Sequence, residues 1–423
     1  MSRAVIHFRS VLSVALVLAA CTDSLGPAPE LITELPRGLT VAEQRVIGGV
    51  NSFGLDLIRE VVARDGRANI VLSPLSASMA LGMTLNGADG ETFDKMRTTL
   101  GFADLSQEEI NDSYHGLIEL LTELDPEVRF DIANSLWANE DVPFHAAFLE
   151  AVKQAFEARA ESKDFRDPAT LTEINAWVEQ STNGLIDRIL DELDPELALL
   201  LINAISFDGA WTTRFDPGET SRQGFTRADG STVQVDMMSI TDVEFPLGFG
   251  SDYAAVELPY GGAAFTMVVI VPHEDARDFL AGLDAATWER VIGGLTPTTV
   301  DLVRIPKFKL TYDAFLNDAL EAMGMGSAFR PGADFTRMSP IGDQICIDFV
   351  RQKTFIEVDE RGTRAAAVTA VGARPTSFNG LIADRPFVFA IRERLTGTLL
   401  FVGLVGDPQA EDPGPEPLVS QCR

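Results

Sequence analysis

Apolar residues recur at helical spacing through the first part of the chain. Phe53, Leu57, Ile58, Val61 and Val62 share one stripe and Leu117, Leu120, Leu121 and Leu124 another, the pattern of helices that each turn one face to a core. Helices are therefore expected to dominate 41–124, with further helical stretches at 145–160, 171–180 and 312–323. The later part changes period. Runs rich in β-branched and aromatic residues at 265–271, 300–310, 355–358, 387–391 and 399–405 predict strands. Helices first and strands later, without regular alternation, imply an α+β fold rather than a doubly wound parallel sheet.

The two ends read differently. Arg3 and Arg9 flank a basic start, and the apolar run 11–20 is too short to span a bilayer comfortably, so an export signal is expected. The run ends Leu18-Ala19-Ala20-Cys21, which resembles the lipobox of bacterial lipoproteins. The resemblance implies cleavage before Cys21, lipid on its sulfur, and an exported protein anchored to a bacterial membrane on the periplasmic or cell-surface side. Residues 1–20 are then a signal peptide, 21–41 a Pro-rich spacer, 42–408 the folded domain, and 409–423, with Pro413, Pro415 and Pro417, a disordered tail. Cys346 lies in the strand-like run 345–349 and Cys422 in that tail; an oxidising compartment permits a bridge between them, and the sequence leaves it open.

A chain of 423 residues, 46% of them hydrophobic, can bury one large core or two ordinary ones. Its net charge of −29, with no cluster of Lys and Arg to reverse the field, argues against a nucleic-acid partner. The stretch 107–123 is acidic and offers no basic helix for a polyanion such as heparin, and a monomer is expected. Of the 4 histidines His7 belongs to the leader, and His115, His145 and His273 are scattered singly. No zinc-binding His pair, nucleophile elbow, phosphate loop or dinucleotide fingerprint is present, so neither enzymatic activity nor a metal or cofactor is expected.

One segment stands out. Residues 362–375 read Gly-Thr-Arg-Ala-Ala-Ala-Val-Thr-Ala-Val-Gly-Ala-Arg-Pro, which on composition alone is a flexible Ala-rich connector. Read as a strand, however, it places Thr363, Ala365, Ala367, Thr369 and Val371 on one uncharged face and Arg364, Ala366 and Val368 on the other. Such a segment suits both an exposed state and one laid over an apolar core.

In this context 42–408 resembles the serpin family. The resemblance rests on Asn69-Ile70-Val71-Leu72-Ser73-Pro74-Leu75-Ser76, on 201–211 ending Phe207-Asp208-Gly209-Ala210-Trp211, on Phe355-Ile356-Glu357-Val358-Asp359-Glu360-Arg361-Gly362-Thr363, and on Arg385-Pro386-Phe387-Val388-Phe389 with Phe401-Val402-Gly403. It implies helices packed on a large mixed main sheet, two smaller sheets, and an exposed reactive-centre loop at about 361–384. It also implies a serine protease inhibitor that is cleaved as a suicide substrate and then inserts its loop into the main sheet. The hinge is Gly362, Thr363, Arg364, Ala365, Ala366, Ala367 and Val368; Trp211, Lys307 and Glu360 mark where the sheet opens; Ser73, Ser76, Asn203 and Gln352 form a polar cluster beneath it. Gln352 departs from the histidine common in the family, and Arg364 from a common Glu.

Loop length by resemblance puts the reactive bond at Thr376-Ser377, with Arg374 and Phe378 as alternatives. The bond after Arg374 is to Pro375, which hinders most serine proteases. A small Thr376 favours elastase-like or subtilisin-like targets, and Phe378 keeps a chymotrypsin-like one in view. The reading from another class is a non-inhibitory serpin serving as a surface binding or structural protein, which a bulky or charged inward hinge residue would have favoured.

Overall fold

The computed structural model describes residues 30–362, 379–415 and 422. Helix α1 (Val41–Arg64) starts at Thr40, whose hydroxyl accepts from the Glu43 N–H while the Glu43 carboxylate accepts from the Thr40 N–H, a closed capping box. Its stripe of Phe53, Leu57, Ile58, Val61 and Val62 is buried. After β1 (Asn69–Leu72) comes α2 (Pro74–Leu85), capped by Ser73 and buried along nearly all its length, as suits a helix apolar on every side. The helices α3 (Gly90–Thr99) and α4 (Gln107–Glu123) complete this layer.

The chain then alternates through β2 (Val128–Asn139), α5 (Ala146–Phe156), β3 (Arg159–Lys163), α6 (Pro168–Ser181) and β4 (Leu199–Gly209). Next come β5 (Ser221–Thr226), β6 (Thr232–Ile240), β7 (Val243–Phe249), β8 (Tyr253–Tyr260), β9 (Phe265–Pro272), α7 (Ala276–Ala281), α8 (Ala285–Gly293), β10 (Thr296–Val300) and β11 (Leu302–Pro306). The last elements are β12 (Phe308–Phe315), α9 (Asn317–Leu320), β13 (Arg351–Val358), β14 (Gly380–Ile382), β15 (Phe387–Glu393) and β16 (Leu399–Val405).

The α+β class holds. Seven strands form one sheet in the order β1-β16-β15-β9-β8-β7-β10 and four another, β14-β11-β6-β5. The expected main sheet is in two pieces: β2 pairs with β3 and β4, and β12 pairs separately with β13.

Several expectations are corrected. The helix expected over 312–323 begins as strand, since 312–315 pair with β13, and turns helical only at α9. The single strand expected at 300–310 is broken into three. Residues 345–349, read as strand-like, pair with no strand among the described residues; the Asn317 side chain holds this stretch instead, donating to Asp348 O at 2.9 Å and accepting from Val350 N at 2.9 Å. The supposed spacer packs on the domain from residue 30 onward: Ile32 N donates to Gly262 O at 2.7 Å, and Arg37 pairs with Glu43 at 2.6 Å. The supposed disordered tail is fixed at its start, because Asp412 pairs with Arg67 at 2.6 Å and accepts from Asp313 N at 2.7 Å. Cys346 and Cys422 form a disulfide with Cα atoms 5.8 Å apart. Among the described residues no helix is long and apolar enough to cross a membrane.

Candidate functional site

The site is the gap that divides the main sheet. β4 leads into Ala210 and β13 into Gly362, and these two residues meet in an isolated antiparallel bridge, so both strands run towards the same end. Below that bridge no ladder joins β4 to β13 among the described residues. A cavity of about 270 Å³ lies between them. Its walls are β4 and residues 345–353, its floor is α2, and Val178 of α6 with Ile186, Ile189 and Leu190 covers the outer face.

Strand parity sets what faces the gap. Leu200 and Ile202 point outward into a small core with Trp137, Ile174 and Val178. Leu199, Leu201 and Ile205 point inward yet stay half-buried, because a strand with a neighbour on only one side leaves its inner face partly uncovered. On β13 the inward residues Gln352, Thr354, Ile356 and Val358 are buried while Phe355 turns outward.

The polar cluster sits halfway down and is split between the two walls. The Gln352 amide grips the Ser73 backbone, its Oε1 accepting from Ser73 N at 2.9 Å and its Nε2 donating to Ser73 O at 3.0 Å. Ser73 Oγ in turn accepts from Ser76 N at 3.3 Å. A glutamine thus serves here as a two-way hydrogen-bonding group. Asn203, from β4, donates to Asn134 Oδ1 at 2.7 Å, and its own Oδ1 is buried without a partner. Asn134, missed in the sequence, is a buried amide in the otherwise largely apolar run 130–138, a pattern that signals a specific hydrogen bond.

At the top, Trp211 closes the gap. Its indole N–H donates to Asp359 O at 2.8 Å, its backbone N–H to Arg361 O at 2.7 Å, and its ring stacks on Tyr260 with centroids 4.3 Å apart. Lys307 Nζ donates to Glu360 Oε2 at 2.9 Å and the Thr220 hydroxyl to Oε1 at 2.8 Å. Burial works against the Glu360 carboxylate, but Lys307 and Thr220 outweigh it and hold its pKa below the usual range. Asp359 next to it is shifted the other way by burial, with Oδ2 unpartnered. Gly362 has φ +147°, and a Cβ there would stand 2.0 Å from Gly209 O, so only glycine fits the bridge.

The structure therefore brings together Trp211, Lys307 and Glu360 at one end, and Ser73, Ser76 and Gln352 at the middle with Asn203 on the facing wall. Thr363, Arg364, Ala365, Ala366, Ala367, Val368, Arg374, Thr376, Ser377 and Phe378 lie outside the described residues, as does Cys21.

Comparison with known proteins points the same way. The serpin (serine protease inhibitor) family model matches residues 49–408. The chain is 34% identical over 379 residues to an uncharacterized serpin-like protein of Thermococcus kodakarensis, covering 87% of both. It is 34% identical over 369 residues to intracellular coagulation inhibitor 2 of Tachypleus tridentatus, covering 84% of this chain and 89% of that one. Among solved structures, the native state of the thermophilic serpin tengpin matches with a TM-score of 0.77 at 32% identity, over 90% of this chain and 97% of that one. With a divided sheet, its closing contacts and a family match over nearly the whole folded domain, the chain belongs to the serpin family.

Proposed function

We propose that this chain inhibits serine proteases as a suicide substrate: a protease cleaves the loop after Gly362, and the freed loop enters the gap between β4 and β13 as a new strand. The observation that supports this best is the gap itself, lined by half-buried inward apolar residues and bridged at its top. A chain that reverses at Gly362 runs antiparallel to both walls. Continued from the Ala210–Gly362 bridge, the register sets Ala367 opposite Ile205, Thr369 opposite Asn203 and Val371 opposite Leu201. These are the small, uncharged residues that share one face, and the Thr369 hydroxyl then meets the unpartnered Asn203 Oδ1. At roughly 0.5–1.5 kcal/mol per net hydrogen bond, with apolar burial added, about a dozen inserted residues supply on the order of ten kcal/mol. The uninserted form is then metastable, held by a kinetic barrier.

Cleavage at Thr376-Ser377 favours elastase-like or subtilisin-like proteases with modest pockets, and a chymotrypsin-like enzyme using Phe378 is the next choice. Incubation with a panel of such enzymes followed by denaturing electrophoresis is expected to give a band holding inhibitor and protease together. Cleaved chain beside fully active protease, with no such band for any enzyme, overturns the reading and leaves a binding or structural serpin. The protein acts outside the cytoplasm, held to a membrane by lipid on Cys21, a reading supported by Leu18-Ala19-Ala20-Cys21. Cys21→Ser is expected to abolish metabolic labelling with fatty acid, and equal labelling of both proteins refutes the anchor.

A further inference from the structure

β12 is paired on one side only: it lies against β13, and among the described residues no strand runs along its other edge. Such an edge carries backbone groups that a second chain can use as a template. In an antiparallel pair, alternate residues turn both backbone groups towards the partner strand, and the residues between turn both away. Asp313 is one that turns away. Its N–H donates to Asp412 Oδ2 at 2.7 Å and its carbonyl accepts from Arg67 Nη1 at 2.9 Å, while Arg67 and Asp412 pair with each other at 2.6 Å. By the same alternation Lys309 and Thr311 face outward. Both are exposed, and neither has a backbone partner on that side among the described residues.

The cap on Asp313 is firmly built. Asp65 holds Arg67 at 2.6 Å, and the guanidinium lies 4.1 Å from the centre of the Tyr312 ring. The stretch leading to Asp412 is pinned at several points: the Asp407 carboxylate accepts from Arg227 at 2.6 Å, the Asp407 carbonyl from Asn69 at 2.7 Å, and Gln409 Nε2 donates to Gln234 O at 2.7 Å. The family match ends at residue 408, so Asp412 stands outside the shared domain while capping one of its strands.

We propose that residues 407–412 are an edge guard, which keeps β12 of one molecule from pairing with β12 of a second copy of this chain. Antiparallel pairing about a two-fold axis at Thr311 sets Thr311 against its own copy and Lys309 against Asp313 of the second copy, a cation beside the carboxylate that Arg351 holds at 2.8 Å. Each of these is a hydrogen-bonding pair, because both of its residues turn their backbone groups outward. The two flanking pairs both need the backbone of Asp313. With Asp412 and Arg67 on it, only the central Thr311 pair can form, far short of an ordinary strand pairing.

Sedimentation velocity over a range of concentrations, with circular dichroism checking the fold, compares intact wild type, Asp412→Ala and the double variant Asp412→Ala with Thr311→Lys. Asp412→Ala is expected to self-associate at least about tenfold more tightly than wild type, since the Asp313 N–H is freed for a second copy. The double variant is expected to sediment as a monomer again, because a lysine on the two-fold axis faces its own like charge. In wild type itself, the Asp313 amide is expected to exchange with deuterium at least about tenfold more slowly than that of Thr311, a reading that needs no variant to fold. Asp412→Ala no more associated than wild type, association that persists undiminished in the double variant, or equal exchange at Asp313 and Thr311 overturns the guard.

Discussion

Glu360 is a buried carboxylate kept ionised by two neighbours, and its side chain is 0% exposed while that of Lys307 is 18% exposed. Because its folded pKa is depressed, the stability it contributes is fully present above the ordinary carboxylate pKa and is lost as pH falls through the folded value. Asp359 has the opposite sign, since its raised pKa makes protonation easier in the folded protein. Glu360 is itself one of the groups that raise Asp359, so its replacement relieves part of that shift too, and a comparison of variants reads the two effects together. Glu360→Gln is expected to cost about 1–3 kcal/mol near neutral pH, with that difference shrinking as pH falls through and below the ordinary carboxylate range. Denaturant unfolding across that range checks it; a difference that stays constant with pH assigns the loss to shape rather than charge. Gly362 is the second residue on which the top of the gap turns. Its positive φ and the Gly209 carbonyl leave no room for a side chain, so the hinge glycine is a steric requirement of the closed sheet.

Among the described residues, β4 and β13 each have one edge without a partner strand along the gap. If the loop fills both edges, nicking it near Thr376 without separating the fragments should raise the unfolding temperature by tens of degrees, as an added central strand brings hydrogen bonds on both sides. Thr369→Val should keep most of that gain but lose about 1 kcal/mol of it, because Asn203 Oδ1 stays unsatisfied. Calorimetry of the nicked pair checks both, and a nicked wild type that melts no higher than the intact one argues against insertion. Much of this architecture was legible beforehand. The stripe of α1 and the runs of β9, β15 and β16 were readable because a helix face or a buried strand imposes its period on the chain. The error at 312–315 has a physical cause: Tyr312, Phe315, Leu316 and Leu320 fit a helical stripe as well, and only pairing with β13 decides for strand. The open gap left no local mark, since Leu199 and Leu201 read as ordinary strand residues whatever lies beside them. The Cys346–Cys422 bridge was equally hidden, joining positions separated by 76 in sequence.

At the scale of the whole molecule, the proposed mechanism makes inhibition a race between insertion of the loop and release of the protease by deacylation. Thr363 directly follows the hinge glycine and shares the face of Ala365, Ala367, Thr369 and Val371, so it is the first side chain that must turn inward beneath the sheet. Thr363→Arg sends a long cation towards the interior below Ala210 and Gly209, where an unpaired charge costs several kcal/mol and slows the earliest step of insertion. Slower insertion lets deacylation win. The loop is still recognised and cut at the same bond, so the variant should behave as a substrate that returns active protease. Ala366→Arg introduces the same charge on the opposite face, where water can solvate it, and should trap protease nearly as well as wild type. The measurement is the fraction of each protein recovered as denaturant-stable complex with an enzyme that wild type inhibits, with fragment masses fixing the cleaved bond. Full trapping by Thr363→Arg shows that the face assignment is wrong. Equal loss in both variants shows instead that a cation anywhere in the hinge impairs the loop, independent of the face on which it lies.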